Sequence, residues 1–378
     1  MIEKRWSHVR KCVIRAKVGD AYIGLMGGYD SAGPDNGAMP FNSVSPLYAA
    51  AEFRAYEQRS NHDFVEAAHS AHEAAEIARN TGDLESWWNM TLVQAENLLD
   101  AEEFEACAGL AADLVAGPYS TMDPQAKAKI YILVAKARQG AGMLEEAAEA
   151  ARAASDLVTD QDVEILVKAR QALIAALADS GRLEEAWDEC LGLADAVSAE
   201  VDDQLIGKVY WVIGNVAFLC SKVQEGLKYH ELAASTFSPA RNLDIWAKFN
   251  KASAAMRLAA DVADADTLRC IERAELATDV IGGSPNDFLL LKLNRGHWSF
   301  LSGDSEAAIR LLEPVCANAD VTLPQILGEA CLLLGRAHSA IGNVESAREN
   351  LLKAAEHFEA SGAQQRADQA RVYLVNEA

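Results

Sequence analysis

The sequence predicts an all-α solenoid built from antiparallel helix hairpins, and three observations support this. The 378 residues include only 9 prolines, and Ala, Leu and Glu recur throughout, which favours helix over sheet. From Pro46 onward the chain reads as nearly continuous amphipathic helix with short breaks. The breaks recur about every 40 residues, a period that is typical of stacked helical repeats.

A small residue near the start of every second helix sets the repeat. These residues are Ala67, Ala106, Ala147, Ala186, Gly226, Ala308 and Ala347, at intervals of 39, 41, 39, 40, 82 and 39 residues. Because 82 is twice 41, we expect one degenerate copy near Thr267. About eight hairpins are therefore predicted over residues 46–360, with a capping helix at 361–378. Residues 1–45, first basic and then rich in Gly and Pro, are expected to be loop or disordered.

Two further positions keep the same register. A turn residue stands five positions before the small residue, at Gly142, Gly181, Ser221, Gly303 and Gly342. Another small residue often stands seven positions before the turn, at Ala135, Gly214, Gly296 and Gly335, and Ala55 holds this place in the first copy. Two helices approach closely only where their side chains are small, so these residues are predicted helix contacts. No hairpin has a complete core alone, and stability is expected to come from stacking.

The charge of the chain argues against nucleic-acid and membrane partners. The net charge is -22, although residues 1–20 hold six basic against two acidic residues, or +4, which leaves −26 for the remainder. An acidic surface repels phosphates, so nucleic acid is not an expected partner. No run of about 18 apolar residues occurs, so no membrane span is predicted.

The seven cysteines are scattered singly along the chain. No C-x-x-C pair occurs, which argues against a disulfide framework and against a zinc site. Most of the cysteines fall within apolar helical patterns, where a free thiol acts as a small core residue. We therefore expect a protein of the reducing cytoplasm.

The spacing of small residues resembles the tetratricopeptide repeat. The residues that carry the resemblance are Leu334, Gly335, Gly342, Ala347, Leu351 and Ala354, and then Gly214, Ser221, Gly226 and Ala233. The copies are nearer 40 residues than the usual 34. In this length they are similar to the repeat regions of bacterial transcription regulators and of peptide-sensing cytosolic regulators. The resemblance implies a right-handed superhelix whose first helices line a concave, ligand-binding groove.

If positions in the first helix are counted from its small residue Gly214, the groove residues are predicted at offsets −6, −3 and +1. These are Lys208, Trp211 and Asn215. The same offsets in the two preceding copies add Lys129, Lys136, Lys168 and Gln171, beside Ile132 and Ala175. Lysines and amides suit a peptide or an anionic group, and a Trp face adds apolar area. We expect these seven polar and aromatic residues to bind the ligand, although lysines of this kind also simply solvate a helix face.

Other candidates are weaker. His69, His72 and Glu76 share a helix face, but three ligands from one helix more often form a solvated surface than a metal site. The Gly-rich stretch at 24–28 lacks the Gly-Lys-Ser/Thr of a phosphate loop. A second polar set is expected to be mixed surface and core, and it comprises Lys248, Asn250, Lys251, Asn294, Arg295, His297 and Trp298. No nucleophile and base stand together, so we expect neither catalysis, nor a bound metal, nor a cofactor.

The sequence thus predicts a protein-interaction or ligand-sensing regulatory protein that binds a peptide or partner protein in its groove. A transcription or signalling component is the expected kind of partner. The alternative is a transcriptional regulator related to helix-turn-helix proteins with tetratricopeptide repeats, its DNA-binding part missing or unrecognised. Residues 1–45 are too short and too broken by Gly and Pro to predict a helix-turn-helix.

Overall fold

A computed structural model describes residues 45–61, 63–116, 123–158, 162–196, 202–318 and 323–376. Within these ranges the chain consists of α-helices joined by short turns and contains no strand, as the sequence predicts. Of the predicted N-terminal segment 1–45, residues 1–44 lie outside the described residues, and Ser45 directly precedes the first described helix. None of the helices in these ranges is long and apolar enough to cross a membrane.

The described residues form two compact units, which divide at Asp202. The N-terminal unit contains eight helices in four antiparallel hairpins. They are α1 (Pro46–Ser60), α2 (Phe64–Thr81), α3 (Leu84–Asp100), α4 (Phe104–Ala116), α5 (Pro124–Gly140), α6 (Leu144–Asp156), α7 (Val163–Asp179) and α8 (Leu183–Ala196).

The C-terminal unit contains four further hairpins and a last single helix. Its helices are α9 (Asp203–Leu219), α10 (Val223–Thr236), α11 (Leu243–Ala259), α12 (Ala265–Ile281), α13 (Pro285–Leu301), α14 (Ser305–Cys316), α15 (Pro324–Ala340), α16 (Val344–Ala360) and α17 (Gln364–Asn376). The single helix α17 packs against α16, and its Arg366 forms a buried ion pair with Glu329 of α15.

Hairpins stack in the same way within each unit. The second helix of a hairpin contacts the first helix of the next, except that α10 and α11 meet mainly through side chains such as His230 and Ser253. Consecutive first helices also contact each other. In the N-terminal unit these inner contacts join α3 to α5 and α5 to α7, and in the C-terminal unit they join α9 to α11, α11 to α13 and α13 to α15. Described second helices share no contact of similar extent. The first helices therefore form the inner layer of each unit, as the groove hypothesis requires.

Close helix packing explains the small residues of the repeat. A Cβ atom at Gly214 of α9 would lie 2.2 Å from the ring of His230 on α10, which is far inside van der Waals contact. A Cβ at Gly335 of α15 would lie 2.8 Å from Leu351 on α16 and 3.1 Å from the backbone oxygen of Ala347. In both hairpins a larger side chain of the second helix fills the space that the glycine leaves.

In seven of the eight described hairpins a turn residue in a left-handed conformation follows the first helix. Gly342 has a φ of 79°, which glycine adopts without steric cost. Ser221 takes the same place between α9 and α10 with a φ of 61°, an unfavourable value for a residue with a side chain. The predicted turn positions thus reverse the chain between paired helices.

The degenerate copy near Thr267 keeps its helix start by hydrogen bonding. The carboxylate of Asp264 accepts the backbone N–H of Thr267 at 2.8 Å and so caps the N-terminus of α12. The Thr267 hydroxyl is buried but donates to the backbone oxygen of Val262 at 3.0 Å. A threonine can therefore replace the usual Ala or Gly because its polar group is satisfied locally.

The contact at Gly214 is a direct test of this packing. We expect Gly214→Ala to lower the free energy of unfolding by about 1–3 kcal/mol, since the His230 ring must move to admit a methyl group. Gly109→Ala in α4 is the matched control, because a Cβ there meets no atom within 4 Å, and it should stabilise the protein by up to about 1 kcal/mol. Urea unfolding of both variants measures the difference, and a neutral Gly214→Ala variant would contradict the packing argument.

Candidate ligand-binding surface

The structure distributes the seven predicted groove residues over both units. Lys129 and Lys136 lie on α5, and Lys168 and Gln171 lie on α7, all in the inner layer of the N-terminal unit. The other three, Lys208, Trp211 and Asn215, lie on α9 of the C-terminal unit.

Trp211 and Asn215 do not face an open groove, which corrects their prediction as exposed contact residues. Trp211 is only 6% exposed, and its ring packs edge-on against Phe237 and Phe249, with centroids 6.3 and 5.7 Å away. Asn215 is 3% exposed, with its Oδ1 atom 3.0 Å from Nε2 of His230. The reason is the bulk of these aromatic neighbours, which come from the segment after α10 and from α11 and fill the side of α9 that the frame assigned to ligand.

Asn215 belongs to a buried polar set that joins three helices. His230 of α10 places Nε2 against Asn215 of α9, and its Nδ1 lies 3.0 Å from the hydroxyl of Ser253 on α11. Burial, with the positive charge of Arg257 as a smaller cause, lowers the pKa of His230 to about 3, so the ring is neutral. The order Ser–His–Asn resembles a catalytic arrangement, but His230 and Ser253 are each 1% exposed and no substrate reaches them. We assign the set to helix packing.

A different group of side chains lies together on the inner layer of the N-terminal unit. We name it the inner polar surface, and its residues are Tyr56 of α1, Glu96 of α3, Lys136 of α5, and Lys168 and Gln171 of α7. Tyr56 is exposed, and the other four are partly buried. The surface combines a phenol, a carboxylate, two ammonium groups and a carboxamide.

Glu96 is the electrostatic centre of the inner polar surface. Burial raises the pKa of its carboxyl group, and this outweighs the opposite effect of the cations Arg59, Lys136 and Lys168. The influence of these cations shows that charges from α1, α5 and α7 converge on one carboxylate of α3. Burial of the ionised Glu96 carboxylate is therefore unfavourable in the free protein, and further hydrogen-bond donors would reduce this unfavourable free energy.

An ion pair fixes α1 against α3 beside Glu96. The Arg59 guanidinium donates to Asp100 Oδ2 at 2.7 Å and to Asn97 Oδ1 at 2.5 Å. Both side chains of the pair are largely buried, and such hydrogen-bonded charges are rigid. Gln139 joins α5 to α7 in a similar way, since its Nε2 donates to Asp179 Oδ2 at 2.7 Å. These contacts hold the first helices in place and leave the side chains of the inner polar surface between them.

The α1 end of the surface is acidic and phenolic. The hydroxyl of Tyr48 donates to Glu52 at 3.2 Å, and burial raises the pKa of both groups. Burial also raises the pKa of Tyr56, and the nearby charges of Glu52 and Glu96 add to this effect. Tyr56 is therefore a protonated phenol that can donate a hydrogen bond.

The α7 end of the surface is cationic and carries an unpaired amide. Lys168 pairs with Glu164 one turn earlier, at 2.6 Å, but remains 41% exposed. The Nε2 atom of Gln171 is buried and has no hydrogen-bond partner among the described residues. Other described side chains, such as Trp211 with its Nε1 atom, also have a buried polar atom without a partner. The donor of Gln171 would be satisfied if a ligand supplied an acceptor. Lys129 is exposed and Lys208 partly buried, and neither adds a resolved feature to this surface.

Glu96 and Tyr56 were missed by the sequence prediction, although the repeat contains the signal for both. Each stands one position after a small frame residue, Ala95 or Ala55, as Lys136 stands after Ala135. Extending the frame two copies toward the N-terminus would have found them.

The weaker sequence candidates among the described residues have ordinary surface and packing roles, while the Gly-rich stretch at 24–28 lies outside the described residues. His69 and His72 are exposed, and the described residues contain no cluster of three or more metal-ligating side chains. In the second polar set, Lys251 pairs with Asp287 across α11 and α13. Arg295 donates both of its bonds to Glu275 at 2.6 Å. These side chains link neighbouring helices, as the mixed surface and core interpretation expects.

The fold is that of a tetratricopeptide-like helical-repeat protein, which confirms the resemblance inferred from the spacing of small residues. Aspartyl phosphate phosphatase F from Bacillus subtilis matches over 93% of this chain and 94% of its own, with a TM-score of 0.53 and 15% identity. A tetratricopeptide repeat protein from Parabacteroides merdae covers 75% of this chain and 98% of its own, with a TM-score of 0.48 and 12% identity. At these identities the likeness concerns the fold alone. No family model and no curated protein matches the sequence.

The buried His230 predicts a pH dependence of stability. Because its folded pKa of about 3 lies below the unfolded value of 6.5, the unfolded chain takes up the proton first as the pH falls. The contribution of His230 is therefore full above pH 6.5 and is lost between about pH 6.5 and 3. From pH 7 to 5.5 the wild-type protein should lose about 1 kcal/mol more unfolding free energy than His230→Gln. Urea unfolding at both pH values measures this, and parallel losses would contradict a neutral His230.

Proposed function

We propose that this chain is a protein-interaction or ligand-sensing regulatory protein that binds an extended segment of a peptide or partner protein. The proposed site is the inner polar surface of the N-terminal unit. A transcription or signalling component is the kind of partner that we propose. The observation that carries the proposal is the partly buried Glu96, whose pKa is raised although the cations Lys136 and Lys168 act on it.

Burial disfavours two polar groups of the inner polar surface in the isolated chain, the Glu96 carboxylate and the Gln171 amide. Gly214 and Gly335, by contrast, lie where a neighbouring side chain leaves no room, and His230 and Asn215 satisfy each other. Gln171 keeps a buried donor without a partner, and Glu96 keeps a charge that burial disfavours. Both groups would gain from a ligand that brings complementary hydrogen-bonding groups.

The chemistry of the surface suits a polypeptide segment. Lys136 and Lys168 can pair with a carboxylate of the ligand, and the Gln171 amide can donate to a backbone carbonyl. Glu96 can accept from a backbone N–H or an ammonium group, and the Tyr56 phenol can donate as well as pack. An extended peptide presents such donors and acceptors in alternation, so a segment with an acidic residue toward α5 and α7 fits best.

Reversing the two lysine charges should weaken peptide binding. We expect Lys136→Glu combined with Lys168→Glu to lower the affinity for peptides selected on the wild-type protein by at least about tenfold, or about 1.4 kcal/mol. Short random peptides displayed on phage would be selected on the full chain, and fluorescence anisotropy would give the Kd. Affinity should also fall with salt, because the proposed contacts are ionic.

The matched control is Arg79→Glu combined with Arg152→Glu. It makes the same change of net charge on α2 and α6, which are second helices of the same unit. This variant should bind the selected peptides like the wild type. Equal affinity of the lysine variant, or an equal loss in the control, would remove the inner polar surface as the binding site.

Neutralising Glu96 should make the protein more stable and weaken its binding of the peptides. Because burial raises the pKa of Glu96, Glu96→Gln removes a disfavoured charge and should raise the midpoint of thermal unfolding. The same change removes an acceptor for the ligand and should weaken the selected peptides. Thermal unfolding and anisotropy on one preparation measure both effects. A variant that is both less stable and unchanged in affinity would show that Glu96 serves packing alone.

A further inference from the structure

Two cysteines from different hairpins meet in the C-terminal unit. Cys316 is the last residue of α14, and Cys331 lies in the middle of α15. Their Sγ atoms are 3.2 Å apart and hydrogen-bonded, although 15 positions separate the residues in the sequence. The contact lies between the seventh and eighth hairpins, where the chain passes from the end of one hairpin to the start of the next.

The two thiols differ in their access to solvent. Cys331 is 1% exposed and packs in an apolar cluster with Leu351 and Phe358. Cys316 packs at the edge of the same cluster and is only partly buried. A small reagent can therefore reach one sulfur of the pair, and the second sulfur stands directly behind it. The other described thiols, Cys107, Cys190, Cys220 and Cys270, are all buried.

A positive charge beside the pair favours a thiolate. The hydrogen bond with Cys316 and, as a smaller cause, the charge of Lys353 lower the pKa of Cys331 although burial opposes them. The same hydrogen bond and burial raise the pKa of Cys316, while the charge of Lys353 of α16 acts to lower it. The Lys353 Nζ is held at 2.6 Å from Glu349. The pair can thus lose one proton and share the other between its two sulfurs, which is the state that reacts with oxidants.

We propose that Cys316 and Cys331 form a reversible disulfide when the protein meets a peroxide. A disulfide requires the sulfurs to approach from 3.2 Å to about 2.05 Å, a movement of about 1 Å that side-chain rotation can supply. The bond would link α14 to α15 covalently and fix the seventh hairpin against the eighth. Stacked repeats bend at such interfaces, so the bond would stiffen this part of the C-terminal unit.

The reaction balances with hydrogen peroxide as the only oxidant. When the shared proton lies on Cys331, the thiolate at the partly exposed Cys316 attacks one peroxide oxygen, the O–O bond breaks, and the hydroxide that leaves takes up a proton to become water. This gives a sulfenic acid on Cys316. The sulfur of Cys331 then attacks the Cys316 sulfur, the S–O bond breaks, and the hydroxyl group leaves with the second proton as water. In sum, two thiols and one peroxide give one disulfide and two waters.

The test is mass spectrometry of the reduced full chain after brief treatment with hydrogen peroxide. Free thiols are blocked with N-ethylmaleimide, the protein is digested without reductant, and linked peptides are identified. We expect one intramolecular link between Cys316 and Cys331, a loss of two of the seven thiols, and full recovery with dithiothreitol. Both cysteines recovered as blocked thiols, a link between two chains, or a sulfinic acid on Cys316 would each overturn the proposal.

Three variants sharpen the test. Cys316→Ser should abolish the link, and because this residue is only partly buried the fold should survive, which circular dichroism checks. Cys190→Ala should leave the link unchanged. Lys353→Gln should slow the reaction several-fold at pH 7 and much less at alkaline pH, where the thiols ionise without help. An unchanged rate at pH 7 would contradict the activation by Lys353.

Discussion

Close contact between the two helices of each hairpin is the constraint on which the rest of the structure depends. Gly214 and Gly335 have no Cβ because His230 and Leu351 occupy the space where it would lie. The left-handed turns at Gly342 and Ser221 return the chain so that this contact can form. Once the hairpins are closed in this way, they can stack, and each first helix meets the next in an inner layer. A side chain at a fixed offset from the small residue therefore has a defined place in that layer.

The two units use the inner layer in different ways. In the C-terminal unit the offsets from Gly214 lead to Trp211 and Asn215, which Phe249 and His230 cover. The position of Asn215 is held in the N-terminal unit by Glu96 and Lys136, and both are partly exposed. The same position in the repeat is thus buried by packing in one unit and partly exposed in the other. In the C-terminal unit the burial depends on the size of the side chains that other helices contribute.

That dependence explains how far the sequence could predict this protein. The helices, their pairing and the turns follow from local patterns, since small residues and helix breaks recur at fixed spacing. Lys136 and Lys168 follow from the same frame and lie on the inner layer. Burial of Trp211 does not follow, because Phe237 and Phe249 belong to segments 26 and 38 residues later in the chain. The meeting of Cys316 with Cys331 likewise depends on the stacking of two hairpins, which no spacing within one copy encodes.

Satisfaction of polar groups distinguishes His230 from Glu96 and Gln171. His230 is neutral, and both of its ring nitrogens have partners, so a ligand has nothing to add there. Glu96 keeps a charge that burial disfavours, and Gln171 has a buried donor that no described residue accepts. Folding alone would favour apolar side chains at both positions, since unsatisfied polar groups reduce stability. Their presence on one surface supports the proposed interaction with a second molecule.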